Sequence, residues 1–298
     1  MVESKNSSVP SPTPPASARM AVVGGGTMGT GIAYVFAQAG FATTVVEPHD
    51  PRAEAMALEL RAAADGAIRR GKLDRDGADA LLSRIHRVAS IDSLDSGLEL
   101  IVETVPERIE LKLEVLRALS AKAPLLLATN TSSISIDRLA DAVSTPERFP
   151  GMHFFNPVWS LPLVEIIRGT ATSDATIVEA ERTVALIGKQ SIVVADIPGF
   201  ATSRLDLIAS LEAMRMLEDG VASAADIDRA AELAYRHPVG PLRLSDIVGL
   251  DVRLDIARQL ETVYGERYRP PQILIDHVAA GRLGRKSGRG FHEWPVEL

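Results

Sequence analysis

Short apolar runs alternate with helical patterns through the first two-thirds of the chain, and helical patterns alone fill the rest. Residues 1–18 are rich in Ser and Pro and lack an apolar segment, which predicts a disordered tail. Arg19-Met20-Ala21-Val22-Val23 then reads as a strand. A Gly-rich turn follows, then an Ala-rich apolar stretch to Gly40, then a β-type run, Ala42-Thr43-Thr44-Val45-Val46, that closes on Glu47. This succession predicts a βαβ unit. Ala53–Gly71 predicts a long helix with Arg69, Arg70 and Lys72 near its end, and His86 falls on a helical segment. Leu98–Glu103, Leu125–Thr129, Phe149–Phe155, Leu163–Ile167 and Gln190–Ala195 predict further strands, with helical patterns between most of them. Such alternation implies a mostly parallel sheet with helices on both faces. Asp196-Ile197-Pro198-Gly199-Phe200 interrupts both periodicities and predicts a hinge. Beyond it, Arg204–Asp219, Ala224–Tyr235, Leu250–Tyr264 and Pro271–Ala280 carry apolar residues at helical spacing.

The turn Gly24-Gly25-Gly26-Thr27-Met28-Gly29 contains Gly-x-Gly-x-x-Gly. The first glycine permits a tight turn, the second lets backbone approach a pyrophosphate, and the third lets the helix pack closely on the strand. The pattern by itself also occurs in turns that bind nothing. Here it follows a strand, opens a helix, and is succeeded by Glu47 at the end of the next strand. In that context a carboxylate accepts hydrogen bonds from adenosine ribose hydroxyls and repels a 2′-phosphate, which favours NAD over NADP. A solvated strand-end carboxylate is the competing reading of Glu47.

Composition narrows the function classes. A formal net charge of -7 opposes general nucleic-acid binding, because the phosphate backbone is repelled. With no cysteine, there is no disulfide, thiolate metal site or cysteine nucleophile. No apolar run approaches the roughly 20 residues needed to span a bilayer, and the N-terminal residues lack a secretory signal pattern. A cytoplasmic protein is expected. No histidine spacing or carboxylate cluster suggests a metal, and no Gly-x-Ser-x-Gly elbow suggests a serine hydrolase.

A nicotinamide cofactor needs a proton acceptor when it takes hydride from an alcohol. His153 is the candidate, since it lies on a strand toward the carboxyl side of an open sheet, where ligands bind. Glu165 can fix its tautomer and steady the imidazolium. A hydrogen-bonded core histidine beside an unrelated surface glutamate is the alternative at this spacing.

Several motifs occur in one order: Val22-Val23-Gly24 through Ala33, Val102-Glu103-Thr104-Val105-Pro106-Glu107, Asn130-Thr131-Ser132, and His153-Phe154-Phe155-Asn156-Pro157. Leu163-Val164-Glu165, Pro198-Gly199-Phe200, His237 to Leu242 and Leu283 to Phe291 complete the set. From about Arg19 to Trp294 the chain resembles the 3-hydroxyacyl-CoA dehydrogenase family, above all short bacterial 3-hydroxybutyryl-CoA dehydrogenases. The resemblance implies that His153 is the catalytic base and Glu165 its orienting carboxylate, and that Ser132 hydrogen-bonds substrate near the nicotinamide. It implies cofactor contacts at Gly24, Gly25, Gly26, Thr27, Met28, Gly29, Glu47, Glu107, Lys112, Ser132, Asn156 and Lys286. Arg70 falls where relatives often carry a basic residue for CoA phosphates, although a basic helix end also suits the helix dipole. A homodimer through the C-terminal domain is implied as well.

Two positions depart from the family pattern. Ser203 stands where Asn is usual, so one arm of an amide is missing beside the substrate. Leu161-Pro162 replaces the usual Met-Lys, and proline there resembles relatives acting on small hydroxy acids without CoA. The expected protein has an α/β Rossmann-type N-terminal domain over 19–196 and an all-α C-terminal domain over 197–298. Its expected activity is NAD-dependent oxidation of a (3S)-3-hydroxyacyl-CoA with a short acyl chain, such as 3-hydroxybutyryl-CoA, or the reverse. A free hydroxy acid or a carrier-protein thioester is the alternative substrate, and a catalytically silent NAD-binding protein the alternative of another class.

Overall fold

The computed structural model describes residues 18–295. The tail expected over 1–18 lies outside them except for Ala18, which is buried and accepts a hydrogen bond from Ala42 N at 3.0 Å. Contacts divide the chain into two units, residues 1–197 and 198–298.

In the first unit, β1 (Arg19–Val23), α1 (Thr27–Ala39) and β2 (Ala42–Val46) form the βαβ unit. Helices α2 (Asp50–Arg69) and α3 (Arg75–Ser83) lead to β3 (Ile85–Val88). Then come β4 (Leu100–Glu103), α4 (Ile109–Ser120), β5 (Leu126–Thr129), α5 (Ile136–Ala140) and β6 (Gly151–Phe154). β7 (Leu163–Arg168), α6 (Asp174–Leu186) and β8 (Gln190–Ala195) close the unit. The strands form one sheet in the order β3-β2-β1-β4-β5-β6-β7-β8. Every pairing is parallel except β6–β7. β4 and β5 are buried at every residue, as central parallel strands covered on both faces must be. Strand order reverses between β1 and β4, and such a switch opens a ligand crevice at the carboxyl ends of the strands.

His86 corrects the helical expectation: it lies in β3. Helix α3 ends at Ser83, and β3 pairs with β2 in parallel, with Thr44 opposite His86. Four residues at a sheet edge, of which only Ile85 and Val88 are half-buried, carry too little alternation to mark a strand.

The second unit contains α7 (Thr202–Glu218), α8 (Ala224–Tyr235), α9 (Pro241–Val248), α10 (Leu250–Tyr264) and α11 (Gln272–Ala279). Leu207, Leu211, Met214, Leu242, Leu250 and Leu274 belong to its core. Buried Asp228 caps α9, accepting from Leu242 N at 2.8 Å and Arg243 N at 2.9 Å. Fully buried Asp246 accepts from Phe291 N at 2.9 Å, His292 N at 2.8 Å and Trp294 Nε1 at 2.9 Å. The Leu283–Phe291 motif thus folds onto a carboxylate, and a Cβ at Gly290 would stand 2.0 Å from Asp246 Oδ1.

Candidate active site

The Gly turn is built by sterics. Gly24 adopts φ +106°, and its N–H donates to Val46 O at 2.9 Å. A Cβ at Gly29 would lie 1.9 Å from Gly24 O, so only glycine lets α1 approach the strand this closely. The Cβ position at Gly26 meets nothing within 4 Å, which leaves room for a phosphate against the backbone. Gly26 begins α1 without a side-chain cap, so backbone N–H groups remain for an anion. A cavity of about 780 Å³ opens here, lined among others by Gly24, Gly26, Thr27, Met28, Glu47 and Arg52. These features fit a dinucleotide.

Glu47 is only 5% exposed. Its Oε2 accepts from Gly25 N and its Oε1 from His49 N, both at 2.9 Å. The carboxylate therefore shapes the turn as well as lining the cavity, which the competing reading of a solvated charge does not describe. Arg52 braces the same turn: its Nε donates to Gly25 O at 2.6 Å while its guanidinium holds Glu59.

A second cavity, of about 360 Å³, is lined by Met28, Glu107, Lys112, Ser132, His153 and Asn156, with Asn130 among the others. Met28, Thr104 and Val105 line both cavities, so the two are continuous along the ends of β1 and β4. Lys112, on α4, is buried against Glu103 at the end of β4, with Nζ at 2.8 and 3.0 Å from its oxygens. Glu103 also accepts from Val105 N and Thr129 Oγ1, both at 2.7 Å. Glu107 takes Ser132 N at 3.1 Å, Ser133 N at 3.2 Å and Ser133 Oγ at 3.0 Å on Oε1, and faces Lys112 across 3.3 Å. Burial pushes the Glu107 carboxyl up, but Lys112 and the Thr131 and Ser133 hydroxyls outweigh it and hold it below the usual glutamate range. Asn130 Oδ1 accepts from Phe154 N at 2.8 Å and so ties the end of β5 to β6.

His153 and Glu165 are direct cross-strand partners in the antiparallel β6–β7 register. His153 is 8% exposed and Glu165 fully buried, with Nδ1 and Oε2 2.8 Å apart. The contact fixes which ring nitrogen faces the carboxylate. The reading of Glu165 as a surface charge is excluded by its burial.

Of the residues singled out from sequence, Gly24, Gly26, Thr27, Met28 and Glu47 line the larger cavity, Gly25 and Gly29 shape its turn without lining it, and Met28, Glu107, Lys112, Ser132, His153 and Asn156 line the smaller. Arg70 lines neither; it caps the C-terminal end of α2. Ser203 lies in the first turn of α7 in the second unit, where Lys286 Nζ holds both oxygens of Asp251 at 2.6 Å. Glu103, Asn130 and Arg52 were not anticipated as site residues. For Glu103 there was a signal: a carboxylate ending an otherwise apolar strand.

A dinucleotide crevice that meets a buried histidine–carboxylate pair defines a nicotinamide-dependent oxidoreductase of the Rossmann type. Residues 19–197 match the family domain described as "3-hydroxyacyl-CoA dehydrogenase, NAD binding domain", and residues 199–294 its C-terminal domain. The chain belongs to the 3-hydroxyacyl-CoA dehydrogenase family. It is 39% identical over 279 residues to a 3-hydroxybutyryl-CoA dehydrogenase of Bradyrhizobium diazoefficiens, covering 93% of this chain and 95% of that one. The crystal structure of (S)-3-hydroxybutyryl-CoA dehydrogenase PaaH1 from Ralstonia eutropha superposes with a TM-score of 0.89 at 37% identity, over 94% of this chain and 99% of that one. A 3-hydroxyadipyl-CoA dehydrogenase of Escherichia coli is 35% identical, over 93% of this chain and 59% of that protein.

Proposed function

We propose that the chain oxidises a short-chain (3S)-3-hydroxyacyl-CoA, 3-hydroxybutyryl-CoA foremost, to the 3-oxoacyl-CoA with NAD, or catalyses the reverse. The carrying observation is the buried 2.8 Å contact between His153 and Glu165 beside the cofactor crevice. A nicotinamide bound there supplies the hydride acceptor for C3. His153 Nδ1–H donates to Glu165, so Nε2 takes the proton of the 3-hydroxyl. Glu165 holds the ring in that tautomer and steadies the imidazolium. Ser132 and Ser203 hydrogen-bond the substrate. Gly24–Gly29 and Glu47 bind the adenosine diphosphate half. Glu107, Lys112, Asn156 and Lys286 serve the remainder of the cofactor.

Turnover of 3-hydroxybutyryl-CoA, its carrier-protein thioester, free 3-hydroxybutyrate and carnitine, measured side by side as NADH formation, tests this reading. The CoA thioester is expected to give the highest kcat/KM; absence of turnover on any thioester would sink the proposal. Glu47→Ala is expected to raise the KM for NAD about tenfold, roughly the 1.4 kcal/mol of one or two lost hydrogen bonds. It is also expected to narrow the preference over NADP. Initial rates with both cofactors measure this, and an unchanged NAD/NADP ratio would remove Glu47 from cofactor selection.

The second unit exposes Leu205, Leu233, Tyr235 and Val263, each more than half exposed, and these support assembly as a homodimer through that unit. Light scattering on the purified chain reads the mass directly. Among the described residues no helix is long and apolar enough to cross a membrane. The absence of cysteine accords with residence in the cytoplasm.

A further inference from the structure

The β6–β7 connection, residues 155–162, is flanked by His153 and Glu165 and carries Phe155 and Asn156 into the smaller cavity. It has little regular structure to hold it: Ser160 N and Leu161 N both donate to Pro157 O, at 3.0 and 3.1 Å, forming one turn. Its fastening comes from elsewhere in the first unit. Val158, 1% exposed, seats against Gly31 of α1, where any Cβ would come within 2.7 Å of it. Trp159 lies edge-on to Tyr34 of α1 with ring centroids 5.9 Å apart. Gln190 N donates to Pro162 O at 2.8 Å.

Lys189 supplies the remaining polar fastening. It follows α6 after Gly188, and its Nζ donates to Val158 O and Leu161 O, both at 2.6 Å. These two carbonyls face one point from opposite ends of the turn. An ammonium has donors enough for both and no acceptor to conflict with them. Burial pushes the lysine pKa down, so the charge is partly desolvated and its interaction with the carbonyls is strengthened accordingly.

We infer that Lys189 is a positioning residue: by clamping the carbonyls of Val158 and Leu161 it fixes the loop that holds Asn156 and Phe155 in the site and sets the approach to Glu165. The inference rests on the dehydrogenase reading above. Lys189 touches neither cavity, so its effect runs through the loop. Lys189→Met keeps the aliphatic stem and removes both donors. Lys189→Arg keeps charge and donors.

Three measurements on the full chain test the role. In Lys189→Met, kcat/KM for 3-hydroxybutyryl-CoA is expected to fall, by up to about 100-fold for a displacement near 1 Å. The Kd for NAD, read by titration, is expected to stay within about twofold, because the cavity lined by Gly24, Gly26 and Glu47 is built by other elements. Amide hydrogen exchange across 155–162 is expected to quicken in Lys189→Met, and Lys189→Arg is expected to restore a good part of both exchange protection and kcat/KM. A kcat/KM in folded Lys189→Met equal to that of the unaltered chain, or a loss that Lys189→Arg does not relieve, overturns the role. Should Lys189→Met not fold, Lys189→Gln serves in its place under the same criteria. Unaltered chain that turns over no thioester refutes the dehydrogenase reading instead, a result separable from the exchange measurement.

Discussion

Replacing His153 by Gln is expected to lower kcat by about 10²–10⁴-fold, the usual contribution of a general base, and to leave NAD affinity within a factor of about two. Gln retains a polar group in reach of Glu165 but cannot accept a proton at neutral pH, so the variant isolates proton transfer from packing. The cofactor crevice is formed largely by the β1, β2 and β4 ends, and this is why binding should survive. Glu165→Gln should fall between the variant and the unaltered enzyme, since His153 keeps a partner at Nδ1 but loses the negative charge that steadies the imidazolium. The double replacement should cost little more than His153→Gln alone, because the two act as one unit. Steady-state rates with 3-hydroxybutyryl-CoA and calorimetric titration of NAD measure both parts. An unchanged kcat in His153→Gln would remove the histidine from the chemistry.

Lys112→Met has the largest expected effect on stability. Lys112 is 1% exposed and Glu103 not at all, and removing the ammonium leaves a buried carboxylate without its countercharge. Breaking such a pair from one side costs about 3–5 kcal/mol. For a domain of this size that corresponds to a drop of about 6–20 °C in Tm. Thr129 Oγ1 and Val105 N still donate to Glu103, which keeps the loss from growing further. Lys112→Met combined with Glu103→Gln should recover part of it, because the uncompensated charge is then gone. Glu107 makes the effect depend on pH. Its folded pKa is depressed, so its contribution is fully present above the ordinary glutamate value and is lost as pH falls through the folded one. Without Lys112 the depression shrinks, so less stability is lost through Glu107 on acidification, and the melting temperature should fall less steeply below the ordinary glutamate value. Thermal melts from pH 3 to 7 follow this; identical pH profiles would deny the Lys112–Glu107 coupling.

What could be read from sequence was local. Gly24, Gly26 and Gly29 have their reason in one turn, and Glu47 in the strand that follows it, so spacing alone carried both. His153 and Glu165 are twelve residues apart and pair across neighbouring strands, and motif order added the chemistry. The Glu103–Lys112 pair is harder to read, because the family resemblance makes Lys112 a cofactor contact and its buried partner comes from a strand end. Arg52 reads as an ordinary first-turn cation, and only the folded turn shows its Nε on Gly25 O. β3 is not legible in the sequence, because an edge strand of four residues takes its identity from pairing with β2, which a linear pattern does not contain. Asp246 is of the same kind: the donors that make it tolerable in a core arrive from residues 291–294, about 45 positions later.

The antiparallel step at β6–β7 has a consequence for how the site assembles. In a wholly parallel sheet, two side chains at the carboxyl end would come from strands separated by a crossover of a dozen or more residues, usually through a helix. The reversal lets Glu165, third in its strand, meet His153, third in its own, after a single loop. Loop-closure entropy for so short a connection is small, so the His153–Glu165 pair is a low-contact-order element. The cofactor turn needs contacts between residues some 80 positions apart, such as Thr104 on Gly24. The His153–Glu165 pairing is therefore the more local of the two, whereas the cofactor turn waits for the sheet.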